Sequence, residues 1–299
     1  MLLGCAGVAP SLPSERAGPP LGGAGAQGGP PAAAPVALAS GAPPSRLTED
    51  PALLAALGPV RSAPAGQALP AATDLRADLP PVQDQASRPM CEVFAVCAAL
   101  DHLARRNPGL AAQRHSPQFL WWNYQRLIAS QTTPARVWGD TGTEGPYMAL
   151  VLRRDSFRGS FGLTVPGSQG VVATELAPYQ PDQPFDSAAG DPTAIARTHL
   201  GPLADRLAAG EAIPADGAQA RFLTRDLAAI KWALAGGHPV VVGLPCQEAR
   251  WRQLADGHDL VPELDTTDVP GTIAHAVLLV GYRDDPAAPG GGTFQFRNS

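Results

Sequence analysis

Cysteine and histidine are the side chains best suited to nucleophilic chemistry at neutral pH, and this chain has few of them. Its cysteines are Cys5, Cys91, Cys97 and Cys246, and it has six histidines. A thiol attacks as thiolate, and a helix N-terminus favours the anion through its unpaired N–H groups and dipole. Cys91 is placed for that. After it Val93, Val96, Cys97, Leu100 and Leu103 recur at helical spacing, so a buried helix begins at Cys91. Cys97 lies on the apolar stripe of that helix and reads as a small core residue. Cys246 follows Pro245 and a strand, with no helix terminus beside it.

A thiolate nucleophile needs an imidazole partner, and the imidazole needs an orienting group. His102 lies about three turns along the Cys91 helix, out of reach of the thiol. His115, His199, His238 and His258 precede a cap, sit in irregular sequence, begin a strand or lie in a Gly/Asp loop. A solvated or locally bonded role is expected for these five. His275 differs, because it opens the apolar strand Ala276–Tyr282, where a polar ring must be satisfied or used. Asn298, near the end of the next strand, can accept from the imidazole and fix its tautomer. Gln85 precedes Cys91 in a loop that returns to the helix start, where a side-chain amide can donate to an oxyanion.

These residues need a scaffold of helices followed by strands. Asn107-Pro108-Gly109 stops the first helix. Ser116 as N-cap and Pro117 at the first position open a second. Further helices are expected over Thr143–Arg153, around Ala194–Ala209 and over Thr224–Leu234, the last with Leu223, Leu227, Ile230 and Leu234 on one side. Thr48–Leu57 is expected to form a short helix. Asp74–Arg76 and Leu79–Val82 read as extended chain. Pro239–Leu244, Ala274–Tyr282 and Thr293–Arg297 read as strands, being short runs of Val, Leu and Phe between Gly and Pro. Helices first and strands second predict an α+β protein with a site between its two lobes.

Composition sets the limits. The 299 residues are 44% hydrophobic and 16% charged, with a net charge of −5. That balance carries no basic footprint for nucleic acid, and no apolar stretch is long enough to span a bilayer. No Cys/His spacing matches a zinc site, so neither metal nor cofactor is expected. Residues 1–70 are rich in Ala, Gly and Pro and are expected to be a disordered leader and linker. Residues 71–299 are the expected folded domain. The start Met1-Leu2-Leu3-Gly4-Cys5 has the look of a bacterial lipoprotein box, which makes Cys5 a candidate lipid anchor and an extracytoplasmic location the expectation.

The residues around Cys91 and His275 resemble those of the papain-like cysteine peptidases. Pro81–Cys91 is similar to the segment that leads to the family's nucleophile, and Cys91-Glu92-Val93-Phe94-Ala95 to its helix start. Ser116-Pro117-Gln118 looks like the family's second helix opening. Gly170-Val171-Val172 through Pro178-Tyr179, Ala274-His275-Ala276-Val277 and Phe296-Arg297-Asn298-Ser299 follow in family order. The resemblance implies a two-lobed fold, with a helical lobe at about 86–220, an antiparallel β-sheet or barrel lobe at about 221–299, and a cleft between. It implies peptide-bond hydrolysis through a thioester, with Cys91 as nucleophile, His275 as base and acid, Asn298 as orienter and Gln85 as oxyanion donor. Gly142, Thr143 and Ala274 are then substrate-binding, and the partner is a peptide or protein.

Several departures qualify the resemblance. Ala86 stands where Gly is usual, and Pro89 and Met90 stand where small residues precede the Cys. Glu92 follows the Cys, and its carboxylate raises the thiol pKa if close. In the family Cys and His lie about 130–150 residues apart, and here the gap is longer. Relatives continue past the Asn with Trp-Gly and further strands, so the sheet lobe is expected to be incomplete at Ser299. Two alternatives follow: a catalytically inactive papain-fold peptide-binding protein, and a related Cys/His acyltransferase of transglutaminase-like or amidase type.

Overall fold

The computed structural model describes residues 2–5, 58–107, 109–110, 114–131, 143, 145–152, 157–158, 164–165, 170–183, 192–216, 220–224, 226–247 and 272–299. The expected helix at Thr48–Leu57 and the glycine Gly142 lie outside them.

The helix expected from Cys91 is α1, Cys91–Arg106, and Asn107 ends it as C-cap. Its apolar residues reach the core on nearly every side, because it packs between the other helices and the sheet. Helix α2, Pro117–Gln131, starts at Ser116, whose hydroxyl accepts from the Phe119 N–H at 3.0 Å as an N-cap should. Helix α3 covers Gly145–Val151, shorter than the Thr143–Arg153 expected, so Thr143 lies outside it. The single helix expected near 194–209 is two, α4 (Pro192–Leu200) and α5 (Pro202–Ala208). Gly201 takes φ 55° between them, and Pro202 pushes its neighbour out of the helical region. Helix α6 is Leu227–Ala235, capped by Asp226, whose carboxylate accepts from Ala229 N–H at 2.7 Å. Leu223, Ile230 and Leu234 are buried as expected, but Leu227 in the first turn is 53% exposed.

The strands are β1 (Leu2–Cys5), β2 (Ala72–Asp74), β3 (Phe157–Arg158), β4 (Thr164–Val165), β5 (Arg221–Phe222), β6 (Val240–Gln247), β7 (Thr272–Asp284) and β8 (Gly292–Arg297). The short pair β3–β4 stands apart. The main sheet runs β2-β7-β6-β1-β5, with β8 also on β7. Strand β7 is antiparallel to β2, β6 and β8, as expected for the second lobe, whereas β1 pairs in parallel with β5 and β6. Composition therefore misplaced part of the leader: Leu2–Cys5 forms a strand, Arg61 bridges to Leu223, and the Tyr282 hydroxyl donates to Pro70 O at 2.7 Å. The extended reading of Asp74–Arg76 also changes, since a 3₁₀ turn begins at Arg76.

Both faces of the central strands are buried, which explains their near-continuous apolar sequence. Val241, Leu278 and Val280 face the helical core around α1, and Val240, Val242, Val277 and Leu279 face α6. A bulge between Leu279 and Gly281 then shifts the alternation, so Tyr282 joins the α6 face. Gly281 is required there, because a Cβ would lie 2.4 Å from Thr73 O.

Candidate active site

The loop before α1 is built for a sharp return. Ala86 has φ 51°, in the left-handed region that glycine favours, and its N–H donates to Asp84 Oδ1 at 2.7 Å. The position thus has the geometry of the glycine it replaces. Met90 is fully buried and is the N-cap of α1 without a side-chain cap bond, so its bulk is absorbed by the core. Cys91 follows at the helix tip.

Backbone N–H groups near the Cys91 sulfur, first that of Ala276 and then that of Glu92, favour its anion. Cys91 at the tip of α1 and Ala276 on β7, one residue past His275, line the same cleft. Burial nevertheless pushes the thiol up to about 11, and the neighbouring Glu92 carboxylate adds to that rise against the hydrogen bonds. The helix tip alone leads one to expect a lowered thiol, and desolvation reverses the sign. Glu92 is 8% exposed and its carboxylate accepts a hydrogen bond from the Thr143 hydroxyl.

His275 and Asn298 meet across β7 and the end of β8, with Nε2 and Oδ1 2.8 Å apart. An amide oxygen only accepts, so Nε2 carries the proton and Nδ1 is the basic nitrogen. Burial lowers the imidazole below its ordinary range, and the bond to Asn298 partly restores it. Asn298, Cys91, Ala276, Gln83, Leu278 and Arg297 border one cleft between α1 and the sheet. Arg297 clamps the approach to the loop, donating to Pro80 O and to Pro81 O at 2.7 Å.

Gln85 is 6% exposed. Its amide nitrogen donates to Arg88 O at 2.9 Å, and its amide oxygen accepts from the Ser299 hydroxyl at 2.6 Å. One amide hydrogen is thus committed to the loop, and the second remains to be placed. Of the other positions expected to bind substrate, Thr143 has its hydroxyl on Glu92, and Ala274 pairs with Pro245 in the β6–β7 ladder. Cys97 is buried in the core as expected. Cys5 pairs with Gly243 through its backbone.

Sequence reasoning missed a second polar cluster. His115 is not solvated: it is fully buried, with Nδ1 2.9 Å from Asp101 Oδ1 and Nε2 3.2 Å from Asp216 Oδ2. His199 is buried against the Gln118 amide at 3.0 Å, and His102 against Gly237 O at 3.1 Å. Only Asp101, one turn past Cys97 on the inner face of α1, signalled that a partner was required.

No protein-family model matches the chain, and no curated protein matches it. Solved structures do. Xylellain, a cysteine protease from Xylella fastidiosa, superposes with a TM-score of 0.56 at 21% identity over 88% of this chain and 85% of that one. The chain has the papain-like cysteine protease fold. The digestive procathepsin L 3 of Tenebrio molitor larval midgut matches at 0.47 and 16% identity, covering 78% of this chain and 61% of that one. A recombinant stem bromelain precursor matches at 0.44 and 16%, covering 81% and 64%. In this papain-like fold α1 forms the wall of the cleft that carries Cys91, and β7 with the end of β8 the wall that carries Ala276 and Asn298, the latter accepting from His275. Among the described residues no group of three or more His, Cys, Asp or Glu could hold a metal ion, and no helix is long and apolar enough to cross a membrane.

Proposed function

We propose that the chain is a cysteine peptidase that hydrolyses peptide bonds of peptide or protein substrates through an acyl-enzyme on Cys91. The observation that supports this reading is the shared cleft, which Cys91 and Asn298 both line while the Asn298 amide holds His275 at 2.8 Å. In the proposed reaction His275 Nδ1 takes the thiol proton as sulfur attacks the scissile carbonyl carbon. The imidazolium then protonates the leaving amine, and water hydrolyses the thioester with the same ring as base. Asn298 orients the ring, and Gln85 with the Cys91 N–H donates to the oxyanion. Gly142, Thr143 and Ala274 would border the substrate.

The raised thiol and lowered imidazole describe a resting pair that is neutral, so the thiolate forms during attack. The test is an epoxide or vinyl-sulfone thiol probe followed by peptide mapping. Labelling at Cys91, abolished by Cys91→Ala, is expected, and labelling confined to Cys97 or Cys246 would overturn the reading.

The raised thiol also favours a second reading, a catalytically silent papain fold that binds peptides. Peptide binding that survives Cys91→Ala, with no turnover by the wild-type chain, would select it. An extracytoplasmic location with a lipid on Cys5 is a separate proposal, supported by the Met1–Cys5 sequence, and processing at such a box would remove Leu2–Gly4 of β1. Metabolic labelling with a palmitate analogue, lost in Cys5→Ala, tests it.

A further inference from the structure

Arginine is almost never fully buried unless its guanidinium is satisfied, because desolvating the cation is costly. Arg88 is 2% exposed and lies three residues before the nucleophile. Its Nη1 donates to Gln118 Oε1 at 2.8 Å and to Gln180 O at 3.1 Å, and its Cζ lies 5.4 Å from the centre of the Tyr179 ring. The guanidinium therefore reaches from the loop into the opening turn of α2 and the 179–180 segment. From Gln118 the network continues to His199 on α4.

The backbone of the same residue holds the candidate oxyanion donor. Arg88 O accepts from Gln85 Nε2 at 2.9 Å and from Met90 N–H at 2.8 Å, and Arg88 N–H donates to Gln85 O. Tyr179 supports both ends of this arrangement. Its ring lies under the guanidinium, its hydroxyl donates to Gln85 O at 2.6 Å, and its ring meets Phe94 on α1 edge-on at 4.9 Å. A displacement of Arg88 would move the carbonyl that holds the Gln85 amide.

We propose that Arg88 is a positioning residue whose buried guanidinium staples the Gln85–Cys91 loop to Gln118, Gln180 and Tyr179 and thereby aims the Gln85 amide at the reacting carbonyl. The inference rests on the peptidase reading above. Arginine suits the task because its planar head offers donors to two acceptors and a face to the tyrosine ring. A lysine ammonium brings no plane to lie against that ring.

The test measures kcat and KM on the peptidyl-aminomethylcoumarin that the wild-type chain cleaves fastest. Arg88→Lys is compared with wild type, and the same change is made in a Q85A background. The expected result is a kcat loss of roughly tenfold or more with Gln85 present, KM within about twofold, and a loss under about twofold once Gln85 is removed. Equal losses in both backgrounds, or an unchanged kcat in R88K, would overturn the inference. If R88K does not fold, Gln118→Ala, which removes the acceptor and keeps the arginine, is read in the same two backgrounds with the same expectation. A wild-type chain that iodoacetamide alkylates at Cys91 but that cleaves no peptide overturns the peptidase reading, and this inference with it. Turnover by wild type together with indifference to Arg88 removes the inference alone.

Discussion

The Thr143 hydroxyl donates to the carboxylate of Glu92, the residue after the nucleophile, and so ties the segment before α3 to the first turn of α1. The carboxylate raises the Cys91 thiol, second to the effect of burial. Arg297 on β8 borders the same cleft, and His275 on β7 is bonded to Asn298, which lines it. Glu92→Gln keeps an acceptor for Thr143 and removes the charge. The rate of Cys91 alkylation by iodoacetamide at pH 8 is expected to rise roughly threefold to tenfold in E92Q. In wild type the rate should still be climbing at pH 10, and a plateau below pH 9 would contradict the assignment.

Stability should fall at both ends of the pH range, for opposite reasons. The folded chain holds the Cys91 proton up to about 11 against an ordinary 9.0, so stability is whole below pH 9 and is lost as pH rises towards 11, by at most about 3 kcal/mol. The His275 imidazole is lowered in the fold, so its contribution is whole above pH 6.5 and is lost as pH falls below that value. Urea unfolding of wild type and Cys91→Ser between pH 8 and 11 checks the first arm, and the alkaline loss should be smaller in the variant.

Asn298→Ala removes the acceptor of the 2.8 Å bond from His275 and frees the ring to rotate. The expected cost is about 1–3 kcal/mol of transition-state stabilisation, or roughly tenfold to a hundredfold in kcat. Steady-state peptide hydrolysis measures it, and the unfolding midpoint should change little.

His115→Ala is expected to damage the fold rather than the chemistry. It leaves Asp101 and Asp216 facing one another in the interior, each having lost its imidazole partner. Removing the partner of a buried polar group costs about 1–3 kcal/mol, and more for a charged group. Denaturant titration measures the loss, and a change below about 1 kcal/mol would show that water takes the place of the ring.

Ala86→Gly should stabilise the loop. Alanine at φ 51° is strained, and glycine adopts that angle freely, so a gain of up to about 1 kcal/mol is expected after the added flexibility of the unfolded chain is counted. Thermal unfolding checks it, and a lower midpoint would contradict it.

Local chemistry made much of this protein readable in advance. The stripe after Cys91, the Ser116-Pro117 helix start and the Val/Leu runs of β6 and β7 each act within a few residues, and helices and strands formed where they stood. The errors fell where local signals yielded to neighbours. Gly201-Pro202 split one expected helix into two. Leu2–Cys5 pairs in parallel with both β6 and β5, a long-range contact that composition does not register.

By itself the sequence determined that a thiol would sit at a helix tip and an imidazole on a buried strand, because periodicity and capping are short-range; the strand starts at Thr272, so His275 lies inside it and not at its mouth. Only the tertiary structure decided that Cys91 and Asn298 share one cleft, that Arg88 is buried against Gln118 and that His115 lies between two carboxylates. The acidity of the thiol was also decided there, since desolvation depends on what the whole fold packs around the sulfur and outweighs the local helix effect.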